Sequence, residues 1–332
     1  MKIPAPPLPE TLYVETTNRC NLSCRGCIQH RGSWETPRDM TLAEFGAILD
    51  GAPGVRRFVL HGIGEPLLNP ALPAMIRRVK ARGAEATFNT NGTLLDRGAR
   101  EALAAAGLDE LRVSLDAASP EGYAAVRGEG FDEVVGNIAA FTAELRAAGS
   151  AAPRISLWLL GTSENIAELP ALVRLAASTG VPEVYLQRLV YFTDAAGYGL
   201  ARERFALAGG DARVAAIVAE SLEEAGRLGV ELHASGLQGP LESLRREGAN
   251  EEPWRRCSRP WTVSYITAHG TVLPCCISPF STADYEAIVL GNAFASSLSG
   301  VWHGPRYADF RRRHASGPPP VSCRGCNSLW SL

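Results

Sequence analysis

A chain of 332 residues, 46% hydrophobic and 20% charged with a net charge of −2, has ample material for a packed core. That excludes a disordered or coiled-coil protein. A pI near 6.3 offers no broad attraction to nucleic acid or an anionic membrane. The N-terminal MKIPAPPLPE has no apolar signal core, and no window approaches the roughly 18 apolar residues of a membrane span. A cytoplasmic protein is therefore expected, in which eight cysteines stay reduced and serve metals or catalysis. Cys20, Cys24 and Cys27 sit at one end of the chain; Cys257, Cys275, Cys276, Cys323 and Cys326 sit at the other. That distribution points to two sites.

In chain order, LYVETT (12–17) reads as a strand leading into the first cysteines. A helix over 41–49 follows, with Thr41 as its cap. Strands at 56–62, 85–90, 111–116, 154–160 and 183–189 alternate with helices at 70–82, 96–106, 131–148 and 166–178. Such alternation implies βα units and a parallel sheet with right-handed crossovers. Six units are too few for an eight-fold barrel and suit an α/β partial (β/α)6 TIM-like barrel, whose functional groups lie where strands end. CNLSCRGC, HGIGEP and NTNGT all follow strand ends and should converge on one mouth. Beyond 190 a helix is expected over 213–226, a short strand at 230–233, then a charged connector. The proposed division is a barrel at 1–235, a connector at 236–256, and a small C-terminal hairpin–helix iron–sulfur domain at 257–332.

Cys20-x3-Cys24-x2-Cys27 places three thiols on one short loop. Three thiolates can hold three irons of a [4Fe–4S] cube and leave the fourth open. A zinc site is the alternative, with His30 as its fourth ligand.

These residues resemble the radical S-adenosylmethionine (SAM) superfamily, with its Cys-x3-Cys-x2-Cys signature after the first strand, over about residues 12–190. Gly62-Ile63-Gly64-Glu65-Pro66 resembles the family's glycine–glycine–glutamate motif, which implies contact with the SAM amino group. Asn89 and Ser114 occupy strand ends where the family contacts the ribose and methionine moieties. Arg127 resembles the arginine that pairs with the SAM carboxylate, whereas Asp116 is expected to cap a loop. The family's aromatic residue before the third cysteine is replaced by Gly26. The chemistry implied is reductive cleavage of SAM to methionine and a 5′-deoxyadenosyl radical, which abstracts hydrogen from an unactivated carbon.

TVSYITAHGTVLPC reads as a hairpin turning at His269-Gly270, which would bring Cys257 and Cys275 together. With Cys323-x2-Cys326, four thiols suit zinc or a fully ligated [4Fe–4S] cluster alike. Cys257-x12-Gly270-x4-Cys275 resembles the opening of the SPASM domain. Only NSLWSL follows Cys326, so the resemblance is to the shortened twitch form with one auxiliary cluster held by Cys257, Cys275, Cys323 and Cys326. Cys276 remains as a buried hydrophobe or, as in twitch-type epimerases, a hydrogen donor; adjacent strand residues face opposite ways.

The expected cofactors are two [4Fe–4S] clusters and SAM. The expected partners are a carbohydrate-like small molecule and a reductant such as flavodoxin or ferredoxin, with no nucleic acid and no membrane. Three reactions follow from the resemblance. The first is dehydrogenation of a carbohydrate or aminocyclitol alcohol, with the auxiliary cluster taking an electron. The second is carbohydrate epimerisation with Cys276 as donor. The third, maturation of a ribosomal peptide, is disfavoured because the first strand begins near residue 12 without room for a peptide-recognition domain. A partner-binding protein with two zinc sites is the non-enzymatic alternative. His61, Gln187, Tyr191, Asp194, Trp261 and Tyr265 are candidate substrate-facing positions.

Overall fold

The computed structural model describes residues 6–31, 35–192, 201–207, 210–236, 239–244 and 253–327. Asp194, the His30 side chain and much of the 236–256 connector lie outside the described residues.

Seven parallel strands form the barrel wall in sequence order: β1 (Thr11–Val14), β2 (Arg57–Val59), β3 (Glu85–Thr90), β4 (Glu110–Ser114), β5 (Arg154–Gly161), β6 (Glu183–Arg188) and β7 (Glu231–Ala234). The partial barrel expected from the alternation is present. The short strand at 230–233 joins it as a seventh member, pairing Glu183 with Glu231 and Leu186 with Ala234. Helices α1 (Leu42–Asp50), α2 (Leu72–Lys80), α3 (Arg97–Ala106), α4 (Pro120–Val126), α5 (Phe131–Ala147), α6 (Leu169–Thr179) and α7 (Ala212–Leu228) fill the connections. Local chemistry sets their starts: Thr41 and Glu44 close a reciprocal capping box on α1, and Asp96 accepts the Ala99 N–H of α3.

Strand alternation sorts side chains between two faces. Leu12, Val14, Phe58, Leu60, Phe88, Leu111, Val113, Leu157 and Leu159 join the main core with Phe45, Ile76, Leu103, Phe141 and Leu172 of the helices. Tyr13, His61, Asn89, Arg112, Ser114, Trp158, Tyr185 and Gln187 alternate with them and therefore line the concave face.

The C-terminal region does not stand apart from this sheet. After α8 (Pro240–Ser243) and α9 (Arg259–Thr262), β8 (Val263–Ile266) pairs parallel with β1, placing Tyr265 opposite Tyr13. β9 (Thr271–Leu273) returns antiparallel, and β10 (Gly291–Asn292) completes a ten-stranded sheet. The hairpin turns where expected, with Gly270 at φ +79°. α10 (Leu298–Trp302) and α11 (Pro305–Ser316) pack beneath it, the Arg311 guanidinium lying 4.1 Å from the rings of both Trp302 and Tyr307.

Candidate functional site

The loop carrying Cys20, Cys24 and Cys27 is fixed from three sides. The Glu65 N–H donates to the Arg19 carbonyl at 2.8 Å, and the Arg25 N–H to the Val126 carbonyl at the end of α4, also at 2.8 Å. Asn91 Nδ2 donates to Asn21 Oδ1 at 2.9 Å, and Asn21 Nδ2 to Thr93 Oγ1 at 2.8 Å. The segments after β2 and β3 therefore converge on the cysteine loop, as the positions of HGIGEP and NTNGT implied. The three thiols are partly buried and close enough to influence one another. Burial is the main cause raising each above the ordinary thiol range. Gly26 adopts φ +107°, a backbone that an aromatic residue does not readily accept, so the loop here follows a path that glycine permits.

Glycine in Gly62-Ile63-Gly64-Glu65 serves close packing against protein. A Cβ at Gly64 would meet the Thr17 carbonyl and lie 2.6 Å from the Arg19 carbonyl, and one at Gly62 would meet Glu15 and Tyr265. Glu65, 2% exposed, accepts from Thr90 Oγ1 and the Asn91 N–H at 2.7 Å each, and from the Leu67 N–H at 3.2 Å. Burial pushes its carboxyl up despite these donors. A carboxylate has about four acceptor positions, so room for one further donor remains.

Asn89 donates its N–H to His61 Nδ1 at 3.1 Å, while its own Oδ1 is buried without a partner among the described residues. An orphaned acceptor beside the cysteine-loop mouth fits a ligand that brings hydroxyl or ammonium donors. The Asn89 contact places the His61 proton on Nε2, and burial beside Arg112 holds this imidazole neutral, its pKa lowered to about 3. Ser114 ends β4 opposite Trp158. Arg127 donates through Nε and Nη2 to Asp116 Oδ2 at 3.0 and 2.5 Å. Burial opposes the Arg127 charge, but Asp116 and Cys24 outweigh it. Asp116, at φ +60°, also accepts the Leu160 N–H at 2.8 Å, so it ties β4 to β5 as well as holding Arg127.

Deeper in the barrel, Glu110 is met by Arg57 at 2.7 Å and bidentately by Arg112 at 2.9 and 2.8 Å. Burial disfavours its charge, yet Arg112, Arg57 and Arg154 hold the carboxyl below its ordinary range. Arg112 lies 4.6 Å from the Trp158 ring, which stacks on Tyr185 at 4.0 Å. Glu110 begins β4 whereas Trp158 stands opposite Ser114 at its end, so this polar and aromatic group runs along the concave face.

A cavity lies where barrel and hairpin meet, lined in part by Glu15, Glu35, Ile63, Tyr265 and Tyr285. Glu15, 2% exposed, accepts from the Ile63 N–H at 2.8 Å, Tyr265 at 3.2 Å and the Ala268 N–H at 3.1 Å. This carboxylate connects the glycine loop to the hairpin. Its signal in the sequence, an acidic residue at a strand end five positions before Cys20, is too common to single it out. Of the other substrate-facing expectations, Tyr265 belongs to this cavity. His61 and Gln187 are on the concave face, and the Tyr191 carbonyl accepts the Asn327 N–H at 3.0 Å. Trp261 instead packs edge-on against His314 at 5.2 Å.

Cys257, Cys275, Cys323 and Cys326 line one cavity with Trp254, Arg259 and His314. Cys276 does not line it. It packs with Tyr13, Tyr265 and Leu273, on the barrel side; β9 ends at Leu273, so the turn after it, and not the strand alternation expected, separates the thiols of Cys275 and Cys276. Phe192, just beyond β6, bridges antiparallel to Cys326. Among the described residues no three His, Cys, Asp or Glu side chains gather as one metal ion would require. A cube suits spread thiols better, because each binds a different iron.

Comparison with known proteins agrees with this geometry. Residues 14–176 match the radical SAM superfamily and residues 257–327 the SPASM iron–sulfur cluster-binding domain. The chain is 33% identical over 187 residues to the tungsten-containing aldehyde ferredoxin oxidoreductase cofactor-modifying protein of Pyrococcus furiosus, covering 55% of this chain and 52% of that protein. It thus spans about half the length of that relative. The PqqA peptide cyclase of Xanthomonas campestris pv. campestris is 26% identical, with 96% of this chain and 80% of that one covered. Streptococcus suis SuiB bound to its precursor peptide SuiA shares the fold with a TM-score of 0.69 at 17% identity, over 98% of this chain and 71% of that one. A radical SAM domain binds a [4Fe–4S] cluster and SAM, and a SPASM domain binds auxiliary iron–sulfur clusters. The two cysteine sets and the orphaned Asn89 acceptor fit these groups.

Proposed function

We infer that this chain, a radical SAM enzyme with a SPASM iron–sulfur domain, oxidises a carbon of a peptide side chain by removing hydrogen. When bound, SAM and the first cluster supply a hydrogen-abstracting radical, and an auxiliary cluster supplies a one-electron acceptor. In this reading Cys20, Cys24 and Cys27 hold the first cluster. Gly62, Gly64, Glu65, Asn89, Ser114 and Arg127 surround SAM. Cys257, Cys275, Cys323 and Cys326 hold one auxiliary cluster, the twitch arrangement. The domain plan at 1–235, 236–256 and 257–332 belongs to the same proposal.

The observation that carries an oxidation is the contact between the halves. Phe192 pairs with Cys326, and Cys276, next to Cys275, meets Tyr13 on the concave face. An auxiliary cluster there would lie against the barrel mouth, placed to receive an electron. The peptide substrate is supported by the likeness to PqqA peptide cyclase over 96% of the chain. All eight cysteines are unbridged, which fits a reducing cytoplasm; flavodoxin or ferredoxin as electron donor belongs to the same proposal. No helix among the described residues is long and apolar enough to cross a membrane.

A second reading, oxidation or epimerisation of a carbohydrate or aminocyclitol alcohol, is favoured by the Cys276 thiol turned toward Tyr13, where a hydrogen donor would sit. Anaerobically loaded protein with SAM and reductant should be offered short peptides encoded beside its gene, and separately a panel of aminocyclitols. The peptide reading expects 5′-deoxyadenosine and a peptide lacking two hydrogens. Oxidised aminocyclitol with untouched peptides would replace it. An inverted centre carrying solvent deuterium, lost in Cys276→Ala, would establish epimerisation.

A further inference from the structure

The cavity of the four C-terminal cysteines has a wall that thiols alone do not explain. Trp254 is 7% exposed and lines that cavity, yet its Nε1–H has no hydrogen-bond partner among the described residues. An indole nitrogen can only donate, and a buried donor left unpaired is costly, so the cavity calls for an acceptor. His314, fully buried on the same wall, has neither ring nitrogen in a hydrogen bond of good geometry among those residues. The third wall residue is Arg259, two positions after Cys257 and the first residue of α9. A guanidinium stays charged in any protein environment. A cationic side chain and a donor-only indole thus line one cavity with the four thiols.

We propose that Trp254 and Arg259 raise the reduction potential of the auxiliary cluster, Trp254 by an N–H···S hydrogen bond and Arg259 by its charge. Reduction adds one negative charge to a cluster. Groups that donate to its sulfurs or carry positive charge nearby stabilise the reduced form and move the potential upward. Arg259 lines the same cavity as the four cysteines, so its charge stands beside the cluster. An acceptor tuned upward in this way drains electrons from the barrel and resists returning them. Trp254 and Arg259 are positioning residues for the cluster and touch no substrate.

This inference rests on the assignment of Cys257, Cys275, Cys323 and Cys326 as ligands, and the test separates the two. The full-length Cys20→Ala/Cys24→Ala/Cys27→Ala protein, loaded anaerobically with iron and sulfide, should retain one cluster of about four irons. Its midpoint is followed by EPR during a redox titration. At a fixed potential, Arg259→Gln should lower the reduced-to-oxidised ratio at least about tenfold, roughly 59 mV for one electron. Arg259→Lys should restore most of it. Trp254→Phe, which keeps the ring and removes the donor, should lower the ratio by about two- to threefold. Arg306→Gln, the same charge change at an exposed position of α11, should leave it unchanged. Variants that keep full iron and the parent midpoint would overturn the inference. A parent that takes up no cluster would overturn the ligand assignment and the inference with it.

Discussion

The Tyr265 hydroxyl donates to the Glu15 carboxylate at 3.2 Å, across 250 residues of sequence. Glu15 also accepts the Ile63 N–H of the glycine loop, so one buried carboxylate holds both that loop and the C-terminal hairpin. Hydrogen bonds to a charged group contribute about 1.5–3 kcal/mol each. Measured well above pH 7, where Glu15 is ionised, Tyr265→Phe should therefore cost about 2 kcal/mol in urea unfolding. Tyr265→Ala should cost more, because it also empties the space of the ring.

Protonation of Glu15 should make stability depend on pH. Burial is the largest influence lifting its pKa from 4.5 to about 7, against the opposing Ile63 and Ala268 N–H groups. Between those values the folded state keeps a proton that the unfolded chain has lost. Stability from this group is thus greatest below about pH 4.5, falls as pH rises, and levels off above about 7, by at most about 3 kcal/mol. His61 acts in the opposite sense: held neutral down to about 3, it loses stability as pH falls below its ordinary range. The difference between wild type and Glu15→Gln removes the His61 contribution. That difference should change across about pH 5–7.5 in thermal melts, and a flat difference would reject the buried-proton account.

Gly64→Ala should disable the first cysteine loop. The added methyl would meet two carbonyls, those of Thr17 and Arg19, and backbone atoms cannot swing aside as a side chain can. Overpacking of this kind costs about 1–3 kcal/mol. Iron content after anaerobic loading should fall toward that of the auxiliary site alone, with little SAM-dependent 5′-deoxyadenosine formed.

Arg127 and Asp116 should behave as one unit. Both are largely buried, their side chains 12% and 11% exposed, so removing either strands the other's charge at a cost of about 3–5 kcal/mol. Arg127→Met/Asp116→Leu together should recover much of the stability lost in Arg127→Met, as judged by denaturant midpoints, while SAM binding by calorimetry stays weak. Recovery of SAM affinity by the double variant would show that Arg127 does not contact the ligand.

Cys275 and Cys276 are neighbours with different expected tasks. Only Cys275 of the pair lines the four-thiol cavity. Cys276→Ala should keep the iron content of wild type, whereas Cys275→Ala should lose the auxiliary share. Equal losses would put Cys276 among the ligands.

Much of this arrangement is legible in the sequence where the signal is local. The run EATFNT has strand character throughout, and β3 spans Glu85–Thr90 as expected. Asp96 and Thr41 mark helix starts because capping depends on residues within one turn. The short α4, Pro120–Val126, is not legible, because seven residues including Gly122 carry little helical periodicity. The cysteine sets are visible as spacings. The meeting of Trp254 with His314 is not, since α11 brings His314 to the cavity from far along the chain. The glycines also serve differently from the motif's expectation: Gly64 admits the Thr17 and Arg19 carbonyls and Gly62 the side chains of Glu15 and Tyr265, partners that no motif names.

The parallel pairing of β8 with β1 has a consequence for biosynthesis. As the chain leaves the ribosome, β1 acquires β2 early, but its other edge must wait until residues 263–266 have been made. For that interval the nascent barrel presents an open strand edge, the kind of surface that recruits foreign strands. A long-range closure of this sort is also slow to form. Cells making this protein should therefore gain more soluble product from slower synthesis or a chaperone than from added iron alone, because the seam must close before either metal site is sheltered.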